Sequence, residues 1–170
     1  MKTKTISTML MVFLLGAFSA MAMAQGKKGM QHDHMTMDMA KEPHHVLAMA
    51  YHQNLASFAK TLHEQTMQTG SVNVEFAQSA VAEMRRSFDQ MSQHHQEHMQ
   101  KMSAEEHTKM SAMMQQMDTH HTELNTDLTA LEQEVKASNP DAKKVTTLAV
   151  SISSHLAAMA KMHQGSKMKV

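Results

Sequence analysis

Methionine and histidine are the residue types whose number and spacing in this chain can do chemistry. There are 22 methionines and 14 histidines, and no cysteine. A thioether is a soft, neutral donor with no proton to lose, and it suits copper(I) and its heavier analogue silver(I). Imidazole is a stronger donor once neutral, with an ordinary pKa of about 6.5. Three rows of these residues recur at steps of three and four, which places each row on one helix face. They are Met91, His95, His98 and Met102; His107, Met110, Met114, Met117 and His121; and His155, Met159 and Met162. Met49 and His52 add candidates from an earlier segment. Zinc is a less natural cargo, because its usual ligands are thiolate, imidazole and carboxylate. Thiolates oxidise readily outside the cytosol, so a cysteine-free soft set fits an oxidising compartment.

The competing reading is packing, since a methionine stripe on a helix commonly fills a core. Met84 reads that way. The seam of the second row continues as Leu124, Leu128, Leu131 and Val135, so the switch to Met and His is confined to one level. Buried histidines also need partners, which a methionine core supplies poorly. His94, His120 and His163 read as solvated residues and His63 as a surface residue.

The elements that must position these side chains follow from the breaks in the chain. Lys2 and Lys4, an apolar stretch from about Ile6 to Ala20, and Ala22-Met23-Ala24 have the pattern of an export signal cleaved after Ala24. The mature protein would then be one domain outside the cytoplasm, periplasmic or secreted, without stable membrane insertion. Removing Met1, Met9, Met11, Met21 and Met23 leaves 17 methionines beside all 14 histidines. Residues 25–43 have no apolar periodicity, and read as a disordered Met/His tail containing Met30, His32, His34, Met35, Met37 and Met39.

From residue 44 to the end, the pattern predicts an all-α domain. Four helical segments are expected, at about 44–68, 72–101, 103–137 and from Asn139-Pro140 to about 163. Thr69-Gly70-Ser71 breaks the first pair. Ser103 with Glu106 suggests a capping box that starts the third, against a continuous helix as the alternative. Asn139-Pro140 suggests an N-cap followed by proline at the first helical position. Short connections favour an antiparallel up-down-up-down four-helix bundle. In that topology the Met/His halves of all four helices share one end, and the other end is aliphatic.

Several functions are excluded or left as alternatives. The mature charge, near −2 with neutral histidine, gives no basic footprint for nucleic acid. The Glu-x-x-His pairs of di-iron bundles are lacking, apart from Glu42 to His45 across Pro43 at a helix start. No nucleophile–base set or phosphate loop is recognisable, so an enzyme is not expected. The alternatives to metal storage are a chaperone or adaptor with a Met-rich adaptable surface and a metal-responsive sensor. Homo-oligomerisation and a metal-transfer partner stay open.

Across residues 44–163, this layout resembles the bacterial copper storage proteins, four-helix bundles whose interiors are lined with metal ligands, chiefly cysteines. This chain has no cysteine, so no site residue carries over from that family. The run His32-Asp33-His34-Met35-Thr36-Met37-Asp38-Met39 is similar to Met/His tracts in periplasmic copper and silver resistance proteins. The resemblance implies binding of copper(I) for storage, buffering or hand-over.

Overall fold

Residues 41–165 are described by the structure, a computed structural model; the expected leader and residues 25–40 of the expected tail lie outside them, while Glu42 and Pro43, the last two of that tail, cap and begin the first helix. Four helices make up the described chain: α1 Pro43–Thr69, α2 Val74–Lys101, α3 Ala104–Val135 and α4 Ala142–Gly165. No strand occurs among the described residues.

Local chemistry explains each boundary. Pro43 sits at the start of α1, where its missing N–H would have had no partner. Glu42 is the N-cap, accepting from His45 N–H at 2.7 Å. Gly70 ends α1 at φ 66°, a left-handed position, and its N–H reaches Thr66 O at 2.9 Å. Asn73 caps α2 through Phe76 N–H at 3.1 Å. The expected capping box is present: Ser103 Oγ accepts from Glu106 N–H at 3.3 Å, and Glu106 accepts from Ser103 N–H at 2.7 Å. Met102 is extended, so α2 and α3 are separate helices.

The fourth boundary corrects the expectation of a cap at Asn139. Asp141 performs that role, with Oδ1 accepting from Lys143 N–H at 2.8 Å and Lys144 N–H at 3.3 Å. Pro140 therefore precedes the cap. Glu134 fixes this turn by accepting from Asp141 N–H at 2.8 Å and pairing with Lys144 at 2.6 Å.

α1 packs on α2 and α4, and α3 packs on the same two. This closed ring is the expected four-helix bundle. Cross-helix hydrogen bonds show its antiparallel sense. Gln78, early in α2, donates to Val135 O at the end of α3 at 3.0 Å. His52, in the first half of α1, bonds Leu156 O in the second half of α4 at 2.9 Å. Between α2 and α3, Arg85 binds Glu132 (2.8 Å), Asn125 (2.7 Å) and Thr129 (3.0 Å) while lying over the Phe88 ring.

The aliphatic end is a dry core of Leu55, Leu62, Val81, Met84, Leu124, Leu128, Leu131, Val135, Val145 and Ile152, none more than 2% exposed. Met84 is packing, as expected. Two helices show which of two adjacent residues takes the core. In α1, His52, Ala59 and Thr66 are buried, while Tyr51 and Phe58 are half-buried flanking residues. In α4, Leu156 is buried at 1% exposure, and His155 turns to the α3 side. Adjacent helical positions are about 100° apart, so two neighbours near the seam cannot both face the core, and the packing of the facing helices decides which one does.

Candidate metal centre

At the other end the core opens into a cavity of about 130 Å³ that all four helices wall. From α1 come His45, Ala48, Met49 and His52; from α2, Met91, Ser92, His95, Gln96 and His98; from α3, Met117, Asp118 and His121; and from α4, Met159 and His163. The expected convergence of Met and His at one end of the bundle is therefore a geometric fact of the fold. A cavity of this size has room for several water-sized particles, and its histidines supply polar atoms on an otherwise largely apolar wall.

Of the residues anticipated from spacing, Met49, His52, Met91, His95, His98, Met117, His121 and Met159 line this cavity. Met102, His107, Met110, Met114, His155 and Met162 do not. Met102 is the residue that ends α2. His107 bonds Met99 O at 3.1 Å and ties the α2–α3 turn. Met110 and Met114 are half-buried in the first turns of α3; Met110 lies about 10 Å along the helix from Met117 at 1.5 Å per residue. Met162 and Met113 pack against the core cluster. Spacing places residues on a face, but it does not say at which depth along that face the helices leave a gap.

His45 and His163 line the cavity and were not among the anticipated ligands. Their rings lie 5.3 Å apart, and His45 is 5.3 Å from His98. Burial beside His45, His95, His52 and His98 lowers the His163 pKa to about 4. His63, read as a surface residue, is half-buried, and its Nδ1 is buried without a hydrogen bond.

Four of the cavity histidines, His52, His95, His121 and His163, are biased toward the neutral form, and hydrogen bonds orient His52 and His121. Burial lowers the pKa of His52, against the raising effect of its bond to Leu156 O. Burial also lowers His95, helped by His121 and His98 and opposed by Asp118. His121 is lowered by burial, again opposed by Asp118. Hydrogen bonds then assign protons. A carbonyl only accepts, so His52 carries its proton on Nε2. Ser92 donates its one hydroxyl proton to Phe88 O at 2.7 Å, so His121 Nε2, 2.6 Å away, must donate to Ser92 Oγ. In both rings Nδ1 keeps its lone pair.

His98 is oriented from behind by Glu42, whose Oε2 lies 3.1 Å from Nδ1. Desolvation raises the Glu42 pKa, but bonds from His45 N–H, Lys101 and His44 N–H outweigh it and bring it to about 2. The carboxylate is thus an acceptor at neutral pH, which puts the His98 proton on Nδ1. His98 Nε2 is left buried with no hydrogen-bond partner, on a residue that walls the cavity. A carboxylate behind an imidazole is the usual support of a histidine metal ligand.

Two further groups sit outside the cavity, and both reverse the order sought for a di-iron site. His94-x-x-Glu97 on α2 meets His44 of α1, and His120-x-x-Glu123 on α3 meets His155 of α4. In each, one ligand atom per residue lies within 4.8 Å of the other two, a spacing that can hold a metal ion. The first group has His44 Nδ1 3.2 Å from His94 Nδ1, with Tyr51 stacked on His94. The readable signal was the repeated His-x-x-Glu, which brings its two residues to one face. His94 and His120 are accordingly not merely solvated side chains.

No helix among the described residues is long and apolar enough to cross a membrane. Compared with known protein families, curated proteins and solved structures, this chain matches none.

Proposed function

We propose that the Met/His cavity binds soft monovalent metal ions, copper(I) and its analogue silver(I), and that the protein stores, buffers or hands over copper(I) outside the cytoplasm. The observation that carries this reading is the buried, unpartnered Nε2 of His98, fixed by Glu42 on a cavity wall that also bears Met49, Met91, Met117 and Met159. Thioethers supply softness at no proton cost, and neutral imidazoles supply affinity. A buried nitrogen lone pair without a partner costs roughly 1–3 kcal/mol, which a bound ion would recover.

The donor set argues for copper(I) over harder ions. Asp118 is the cavity's one carboxylate, so few anionic oxygens are on hand for a divalent cation. Methionine packing alone would explain thioethers in a core, but it does not explain six histidines sharing the same space.

The test is an anaerobic copper(I) competition titration of the mature protein against a chelator. A variant carrying Met91→Leu, Met117→Leu and Met159→Leu runs beside it. Leucine keeps the packing volume, so each change should cost under about 1.5 kcal/mol of stability. Loss of tight copper(I) binding with the bundle intact supports the reading. Unchanged binding in that variant would refute thioether ligation in the cavity.

A further inference from the structure

The His120, Glu123 and His155 group lies on the α3–α4 seam, apart from the Met/His cavity and with different donors. Its three facing atoms form a nearly equilateral triangle. His120 Nδ1 is 3.3 Å from His155 Nδ1, and Glu123 Oε2 is 3.4 Å from the first and 3.3 Å from the second.

Hydrogen bonds alone serve this triangle poorly. If both rings carry protons on Nδ1, both can donate to Glu123, but the two N–H groups then face each other at 3.3 Å. If one Nδ1 is bare, a single proton must serve two acceptors. A cation at the centre would engage all three lone pairs together. Bonds of about 2.0–2.1 Å in tetrahedral geometry put ligand atoms about 3.3–3.4 Å apart, which is the edge of this triangle. Glu123 is half exposed, so a fourth position can face water.

A second observation stands behind His155. Its Nε2 lies 3.4 Å from Asp127 Oδ2, an oxygen that is buried and makes no hydrogen bond. Ligation through Nδ1 would place the ring proton on Nε2, facing that oxygen. This is the carboxylate–histidine–metal arrangement that sharpens ligand basicity and fixes the tautomer.

From this geometry we infer that His120, Glu123 and His155 bind one borderline divalent cation of the zinc(II) class, with Asp127 as the positioning residue for His155. Two imidazoles and a carboxylate form an open three-ligand set of the kind zinc accepts. The bundle would then separate two metal classes, soft monovalent ions inside and a divalent ion on the seam.

Equilibrium dialysis of the full chain against zinc(II) near neutral pH tests this. Glu123→Gln and His155→Ala should each bind one zinc ion fewer than the parent, with silver(I) uptake unchanged. Glu123 is exposed enough that its variant keeps the fold, which circular dichroism checks. Asp127→Asn should keep the site but weaken it about 10–100-fold. Equal zinc binding by the parent, Glu123→Gln and His155→Ala overturns the site. Unchanged affinity in Asp127→Asn overturns the positioning role. Loss of silver(I) uptake in the methionine variant with zinc retained would be a result for the cavity alone, so the two sites stand or fall separately.

Discussion

His98 is the most constrained side chain of the cavity wall, because one ring nitrogen is committed and the other is stranded. Glu42 binds Nδ1 at 3.1 Å and also holds Lys101 at 3.0 Å, so one carboxylate sets a tautomer and joins α1 to the end of α2. Glu42→Ala removes that support and the N-cap together. Copper(I) affinity is expected to fall about 10–100-fold by competition titration. Thermal melts should also show a loss of about 1 kcal/mol of stability. His98→Leu separates the two effects: it removes the stranded nitrogen, so the metal-free protein should hold or gain stability while copper(I) affinity drops. A His98→Leu variant with parental affinity would remove this residue from the ligand set. Among the methionines, Met91, Met117 and Met159 are 4–6% exposed, so leucine can replace them without opening the core.

At the scale of the helix, register decides which histidine is structural and which faces a partner. Leu156, fully buried, packs where the heptad reading placed His155. Leu156→Ala should therefore cost about 2–5 kcal/mol in denaturant unfolding, whereas His155→Ala should cost under about 1 kcal/mol. Similar losses for both would mean that α4 sits in another register. The α1–α2 turn gives a second measure. Gly70 has open space around it, but its φ of 66° strains any side chain. Gly70→Ala should destabilise by about 1 kcal/mol, read from the denaturant midpoint, for a backbone reason alone.

For the whole molecule, the crowded histidines make the metal-free bundle acid-sensitive. His52, His95, His121 and His163 have folded pKa values below the ordinary 6.5, down to about 4 for His163. Below pH 6.5 the unfolded chain binds more protons than the folded one, so stability falls as pH falls from about 6.5 toward 4. Above 6.5 this contribution is fully present. The carboxylates act in a lower window. Glu42 and Glu134 are held below 4.5 when folded, so their contribution is complete above that value and lost beneath it. The metal-free melting temperature should drop on the order of 10 °C between pH 7 and 5. Protein loaded with silver(I) should drop less over the first part of that range, because bound ions hold the imidazoles neutral. Burial also moves proton competition with a bound ion at His163 down to near pH 4. A flat melting temperature from pH 7 to 5 would count against buried neutral histidines.

The sequence by itself determined the four helices, the break at Gly70, the capped start of α3 and the gathering of Met and His at one end. Those features rest on local chemistry: a glycine that ends α1, the Ser103–Glu106 box and heptad periodicity. Only the tertiary structure decided which of those residues share a space. Neighbours such as Tyr51 and His52, or His155 and Leu156, both lie near a seam, and the choice between them depends on how the facing helices pack. Depth was equally hidden, so Met110 and Met114 fell outside a cavity that Met117 and His121 wall. The pairing of His-x-x-Glu motifs with His44 and His155 likewise needed two helices in contact, because residues far apart in the chain become neighbours only through the fold.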